Sequence, residues 1–126
     1  MGKGIILLTR IRKEAEQLSE FLVNQSYRVI LSEHLGDQGQ KPDWKKNTIA
    51  LIDLDSVEVE NYTIRRLATK YPQLHLLCMS HKRLHPDLKE AISNYFYACL
   101  AKPLDFDELR YWLKCVEDNA AAGDRR

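Results

Sequence analysis

Thr48-Ile49-Ala50-Leu51-Ile52-Asp53-Leu54-Asp55 is the stretch on which the fold turns. An apolar, β-branched run continues without a polar break as far as Ile52 and then stops on two acids. That is the pattern of a strand covered on both faces which ends at a polar rim.

Similar runs recur on either side of it. On the amino-terminal side, Ile5 to Leu8 is a continuous apolar strand, and Tyr27 to Leu31 is a second. Between them Ile11, Ala15, Leu18 and Leu22 recur at helical spacing among Arg12, Lys13, Glu14, Glu16 and Glu20, which makes an amphipathic helix. Ser32 to Asn47 contains Gly36, Gly39 and Pro42, so any helix there is expected to be short or irregular. On the carboxyl side, a helix carrying Ile64, Leu67 and Tyr71 on one face stops at Pro72, and Leu74 to Met79 is the fourth strand. Leu84, Leu88, Ala91 and Tyr95 form another helical stripe, with Pro86 in its first turn, where a missing N–H costs little. Tyr97 to Ala101 is the fifth strand. Asp105, with Glu108 three residues on, then opens a helix with Phe106, Leu109, Leu113 and Val116 inside.

Strict alternation of five strands with helical segments and right-handed crossovers defines an α/β fold, a doubly wound parallel sheet with helices on both faces. Residues 1–118 are expected to form one domain and 119–126 a flexible tail or linker start. The length of 126 residues leaves no room for a second core of ordinary size, so a multidomain enzyme is excluded within this chain.

Composition narrows the class further. With 44% hydrophobic and 29% charged residues the chain has the profile of a folded, water-soluble domain. Its 19 basic residues against 18 acidic ones call for neither nucleic acid nor an anionic membrane. The Ile5–Leu8 run falls far short of the roughly 20 apolar residues that span a bilayer, and it is too short for a signal sequence, so a cytoplasmic location is expected.

In an open parallel sheet the site lies at the carboxyl ends of the strands. The polar residues at those ends are Thr9 and Arg10, Asp53 and Asp55, Ser80 with His81, and Lys102 before Pro103. An acyl phosphate on a carboxylate needs a nucleophilic oxygen, a cation to offset the incoming charge and a donor to the phosphoryl oxygens. Asp53, Lys102 and Ser80 are one of each.

With those residues in those places, the sequence resembles the receiver domains of bacterial two-component response regulators over about Gly4 to Glu117. The resemblance implies a flavodoxin-like sheet of order 2-1-3-4-5. It makes Asp53 the candidate phosphoacceptor, Ser80 the hydroxyl that binds the phosphoryl oxygen, and the Lys102-Pro103 lysine the phosphoryl contact. It further implies a histidine kinase or phosphotransfer protein as donor, and a downstream effector domain or protein, or a second copy in a homodimer, as recipient. Membrane and direct nucleic-acid contacts are not expected, and neither is enzymatic turnover.

The departures are equally specific. Receivers place two acids at the end of the first strand, which hold magnesium together with the phosphoacceptor; here Thr9 and Arg10 stand there. Magnesium prefers near-octahedral oxygen ligands, so a site left with Asp53 and Asp55 is expected to be weak or absent. Arg10 suggests a replacement, a guanidinium paired with Asp53 and Asp55 in the ion's space; the alternative is that it points to solvent. Ser56-Val57 and Asn61 replace the family's Met-Pro and Gly, Tyr95-Phe96 replaces its Gly-Ala, and Cys99 occupies its aromatic switch position.

Other polar candidates carry less. His34, His75, His81 and His85 have no ligand spacing and are expected to be solvated or half-buried. Cys78, Cys99 and Cys115 show neither a CxxC pair nor a disulfide framework. They read as buried reduced thiols, with a Cys78/Cys99 redox pair as the less favoured alternative. Tyr95, Phe96, Tyr97, Tyr111 and Trp112 are expected to be partly core and partly an exposed docking face. A flavin site is disfavoured because Thr9-Arg10-Ile11-Arg12 contains no glycine. The expected function is an atypical receiver in two-component phosphorelay signalling with Asp53 as candidate phosphoacceptor; the alternative is a phosphorylation-independent interaction or dimerisation module.

Overall fold

The computed structural model describes residues 3–34, 44, 47–83 and 85–121. In chain order these form β1 (Lys3–Leu8), α1 (Arg12–Asn24), β2 (Tyr27–Ser32), β3 (Ile49–Asp53), α2 (Asn61–Lys70), β4 (His75–Ser80), a 3-10 turn (Pro86–Leu88), α3 (Lys89–Asn94), β5 (Phe96–Ala101) and α4 (Phe106–Ala121). The five strands make one parallel sheet in the order β2-β1-β3-β4-β5. The expected architecture is therefore present. Leu84, and most of the segment read as a short or irregular helix, lie outside the described residues, as does the end of the tail.

Two apolar layers sandwich the sheet. Alternate residues of the strands (Ile5, Leu7, Leu51, Leu77 and Met79) pack with Leu18 and Leu22 of α1 and with Leu109, Leu113 and Val116 of α4. The intervening set (Ile6, Leu8, Ile52, Leu76 and Cys78) packs with Ile64 and Leu67 of α2, Ala91 of α3, Trp44 and Phe96. This double coverage explains why β1, β3 and β4 read as unbroken apolar runs rather than alternating ones. α4 opens as its sequence implies, with the Asp105 Oδ1 accepting the N–H groups of Asp107 at 2.9 Å and Glu108 at 3.4 Å. The turn from α1 into β2 is carried by Ser26, which takes a left-handed φ of 72°.

Two expectations need correction. Cys78 and Cys99 are not reduced core thiols; they are joined in a disulfide, and Cys99 is exposed. The cause is register, because β4 and β5 place these two residues directly opposite each other with Cα atoms 4.7 Å apart, and a separation of 21 residues does not reveal that. Cys115 is free and half-buried. His75 is buried rather than solvated, with its ring edge-on to Tyr97. The aromatic group divides as expected between inside and surface: Phe96 is buried, Tyr95, Tyr97 and Trp112 are half-buried, and Tyr111 stands out, at 61% exposure.

Candidate functional site

The carboxyl ends of β1, β3, β4 and β5 lie together at one rim of the sheet, and the ladder continues one residue past β1, β3 and β5. Thr9 N–H donates to the Ser32 carbonyl, Leu54 N–H to that of Met79, and Lys102 N–H to that of Ser80. The chain then turns sharply after β3, with the N–H groups of Ser56 and Val57 both donating to the Asp53 carbonyl. That turn folds Asp55 and Ser56 back over the strand ends.

Asp53 is 0% exposed and both of its carboxylate oxygens are fully engaged. Oδ1 accepts from Lys102 Nζ at 2.7 Å and from the Asp55 N–H at 3.0 Å. Oδ2 accepts from the Ser56 hydroxyl at 2.7 Å and the Thr9 hydroxyl at 2.9 Å. Four donors thus meet the four lone-pair positions of one carboxylate. The two hydroxyls are themselves held by backbone: Thr9 Oγ1 accepts the Ile11 N–H at 3.1 Å, and Ser56 Oγ accepts the Arg10 N–H at 2.9 Å. Ser80 belongs to a neighbouring arm, donating to Asp55 Oδ1 at 2.8 Å and accepting the Lys82 N–H at 3.0 Å. The other oxygen of Asp55 accepts the His81 N–H at 2.9 Å.

Lys102 is the hub. Its side chain is 3% exposed, and its ammonium lies 2.7 Å from Asp53, 2.7 Å from Glu14 and 3.4 Å from Asp55, so one cation faces three carboxylates. Burial opposes ionisation of Asp53, but the hydrogen bonds from Lys102, Ser56, the Asp55 N–H and Thr9 outweigh it and hold its carboxyl below the usual range. Asp55 is likewise depressed: burial acts against it, and the His81 N–H, Ser80 and the charge of Lys102 prevail. For Lys102 burial would favour the neutral amine, yet Asp53 and Glu14 hold its pKa above the ordinary lysine value. All three groups are charged at neutral pH.

The structure thus brings together Asp53, Asp55, Ser80, Lys102 and Thr9, as the sequence implied, and leaves Arg10 out. Arg10 is exposed, and among the described residues its guanidinium joins no ion pair, so of its two alternatives the solvent-facing one is found and Lys102 takes the place beside Asp53 and Asp55. The reason is reach: Arg10 follows the strand end by two residues and is turned outward, its backbone N–H being spent on Ser56. Two participants were not singled out from the sequence, Glu14 and Ser56. Glu14 lies in the first turn of α1, directly after the β1 end, and Ser56 stands three residues beyond Asp53; both positions carry a polar residue where the chain turns over the site.

Magnesium, which the fold family implies, does not fit this donor set. Every Asp53 oxygen is taken by protein donors, an ammonium stands among the carboxylates, and Thr9 and Arg10 are poor substitutes for two acids. Among the described residues no group of three or more His, Cys, Asp or Glu is arranged to hold a metal ion.

Beside the hub a cleft of about 560 Å³ runs between α1 and the start of α4, lined by Glu14, Leu18, Phe21, Lys102, Pro103 and Phe106. Phe21 and Phe106 stack there at 4.6 Å.

This sheet order, with helices on both faces, is the fold of response-regulator receiver domains. A CheY-like response regulator receiver domain from Methanospirillum hungatei JF-1 superposes with a TM-score of 0.76 at 12% identity, over 97% of this chain and 99% of the other. The signal receiver domain of an HD domain-containing protein from Pseudomonas fluorescens Pf-5 gives 0.78 at 15%, over 97% and 99%. A streptococcal protein from a family of redox sensors evolved from two-component response regulators gives 0.73 at 22%, over 98% of this chain and 54% of that one. No protein-family model and no curated protein matches the chain. Among the described residues no helix is long and apolar enough to cross a membrane.

Proposed function

We propose that this chain is a receiver-type signalling module that works by protein contact, with its acid site held shut by Lys102 rather than opened for magnesium-dependent phosphoryl transfer. One observation carries the proposal: the Asp53 carboxylate is inaccessible and saturated by four donors. In-line attack on phosphorus needs a free lone pair on a reachable oxygen, and neither is available here. The hydroxyls of Thr9 and Ser56 occupy the oxygen that would otherwise face an incoming group, and Lys102 already supplies the positive charge that a metal would bring.

A second reading is favoured by the convergence of Asp53, Ser80 and Lys102 at the strand ends. On that reading Asp53 is the phosphoacceptor, with a histidine kinase or phosphotransfer protein as donor; Thr9 and Ser56 must first rotate away from Oδ2. One experiment separates the two. The full chain is incubated with magnesium and either acetyl phosphate or beryllofluoride, then followed by intact mass and amide spectra. The contact-module reading expects an unchanged mass and unchanged amides of Asp53, Ser80 and Lys102. A phosphoryl adduct mapped to Asp53, or a beryllofluoride-dependent shift of those amides, refutes it and establishes the second reading.

A further inference from the structure

The Cys78–Cys99 disulfide lies outside the acid site and has no part in the chemistry described above. Its two residues have opposite surroundings. Cys78 is fully buried on β4, packed in the layer that holds Ile52, Ala91 and Phe96, whereas Cys99 on β5 is exposed. The asymmetry follows from the fold: β5 is the sheet edge, and α3, which packs on β5, has only six residues. The bond also sits close behind the acid site. Cys78 precedes Ser80 by two residues, Cys99 precedes Lys102 by three, and the strands are further joined by the Ser80–Ala101 pairing and the Lys102 N–H to Ser80 carbonyl bond. The third cysteine cannot take part from within the chain. Cys115 belongs to α4, which packs on the opposite face of the sheet from Cys78.

We infer that Cys78–Cys99 is a thiol–disulfide exchange site for a small thiol or dithiol reductant, and that its redox state sets how firmly β5 holds Lys102 against the acid site. A thiolate attacks the sulfur of Cys99, the exposed residue of the pair. The new sulfur–sulfur bond forms to Cys99, the bond to Cys78 breaks, and the Cys78 sulfur leaves as a thiolate and takes a proton. A second thiol then attacks the reductant's sulfur in the mixed disulfide, forming the oxidised reductant and releasing Cys99 as its thiol. One disulfide and two thiols become two cysteine thiols and one external disulfide, so protons and both electrons balance. With the covalent tie gone, the end of an edge strand is held by backbone pairing and packing on one side only. The positions that should respond are Ser80, Ala101 and Lys102.

The test uses the full chain carrying Cys115→Ser, equilibrated across ratios of reduced to oxidised glutathione and read by alkylation and intact mass. Zero and two free thiols are expected as the only populated states, interconverting in one transition. In the Cys78→Ser variant glutathione adds to Cys99; in Cys99→Ser, Cys78 is modified at least about tenfold more slowly, because only an accessible thiolate reacts. Amide spectra of the two states should both stay dispersed, with the shifts concentrated at Ser80, Ala101 and Lys102 and little change in β2. Two free thiols under the oxidising condition would overturn the inference, as would a pair that excess dithiothreitol cannot reduce in the folded protein. Collapse of the spectrum on reduction, or reduction with no shift at the three named amides, would do the same.

Discussion

Replacing Lys102 by methionine tests the hub most directly, because methionine keeps the buried apolar stem and deletes only the ammonium. The ammonium is 2.7 Å from a carboxylate that is itself fully buried, so its loss strands the charge of Asp53. Breaking a buried pair from one side costs about 3–5 kcal/mol, and Asp53 retains the Thr9, Ser56 and Asp55 donors, which places this site near the lower end, about 3 kcal/mol. The contacts with Asp55 and Glu14 add little, since both carboxylates reach solvent and are screened. For a domain of this size a loss of about 3 kcal/mol lowers the melting temperature by roughly 10 °C. Urea unfolding at neutral pH of wild type, Lys102→Met, Asp53→Asn and the double variant closes a cycle, with an expected coupling of about 2 kcal/mol between the two positions. A loss below about 1 kcal/mol in Lys102→Met, or additive effects in the double variant, would refute the role of Lys102 as counter-ion to Asp53.

Three further outcomes are expected. Asp53 and Asp55 are depressed below the ordinary carboxylate value of 3.8, so their stabilisation is complete above that value and is lost as pH falls through the lower folded values. Lys102 is raised above 10.5, and Tyr27, burial-shifted and bonded to Glu117, is raised above 10.0. Their share is complete below those values and is lost as pH rises through the higher folded ones. The urea midpoint should therefore vary little from about pH 5 to pH 9 and fall on both sides, with a shallower acid limb in Asp53→Asn; an unchanged acid limb in that variant counts against the assignment. Arg10→Ala, at an exposed guanidinium without an ion pair among the described residues, should shift stability by less than about 0.5 kcal/mol, and a larger loss in urea unfolding would restore the Arg10 pair. Gly4→Ala should cost about 1–3 kcal/mol in thermal or urea unfolding, because the added Cβ would lie 2.0 Å from Oδ1 of the buried Asn47; a neutral result would show that Asn47 yields freely.

Much of the site could be read from the chain because its members end strands. Asp53 and Ser80 each close an apolar run, Lys102 follows one directly, and a parallel sheet gathers such residues at one rim whatever its detailed packing. Thr9 belongs to the same set. For Arg10 the charge type left both a pair and solvent open, because the direction of its side chain depends on how the chain leaves β1. Glu14 and Ser56 do not read as site residues because each is a polar residue on an ordinary helix start or turn. Only the position of Lys102 and of the Asp53 carboxylate makes them ligands of the hub.

Hydrophobic period, capping and turn chemistry are local properties, each set by residues a few positions apart. For this reason the strand and helix order, the double coverage of β1, β3 and β4, and the Asp105 cap all followed from sequence. The pairing of Cys78 with Cys99, the saturation of Asp53 and the choice of Lys102 over Arg10 were decided only by the folded sheet. Each needs at least one contact between residues 21 to 49 positions apart, where a change of one residue in strand register or of one loop turn moves a side chain to the other face.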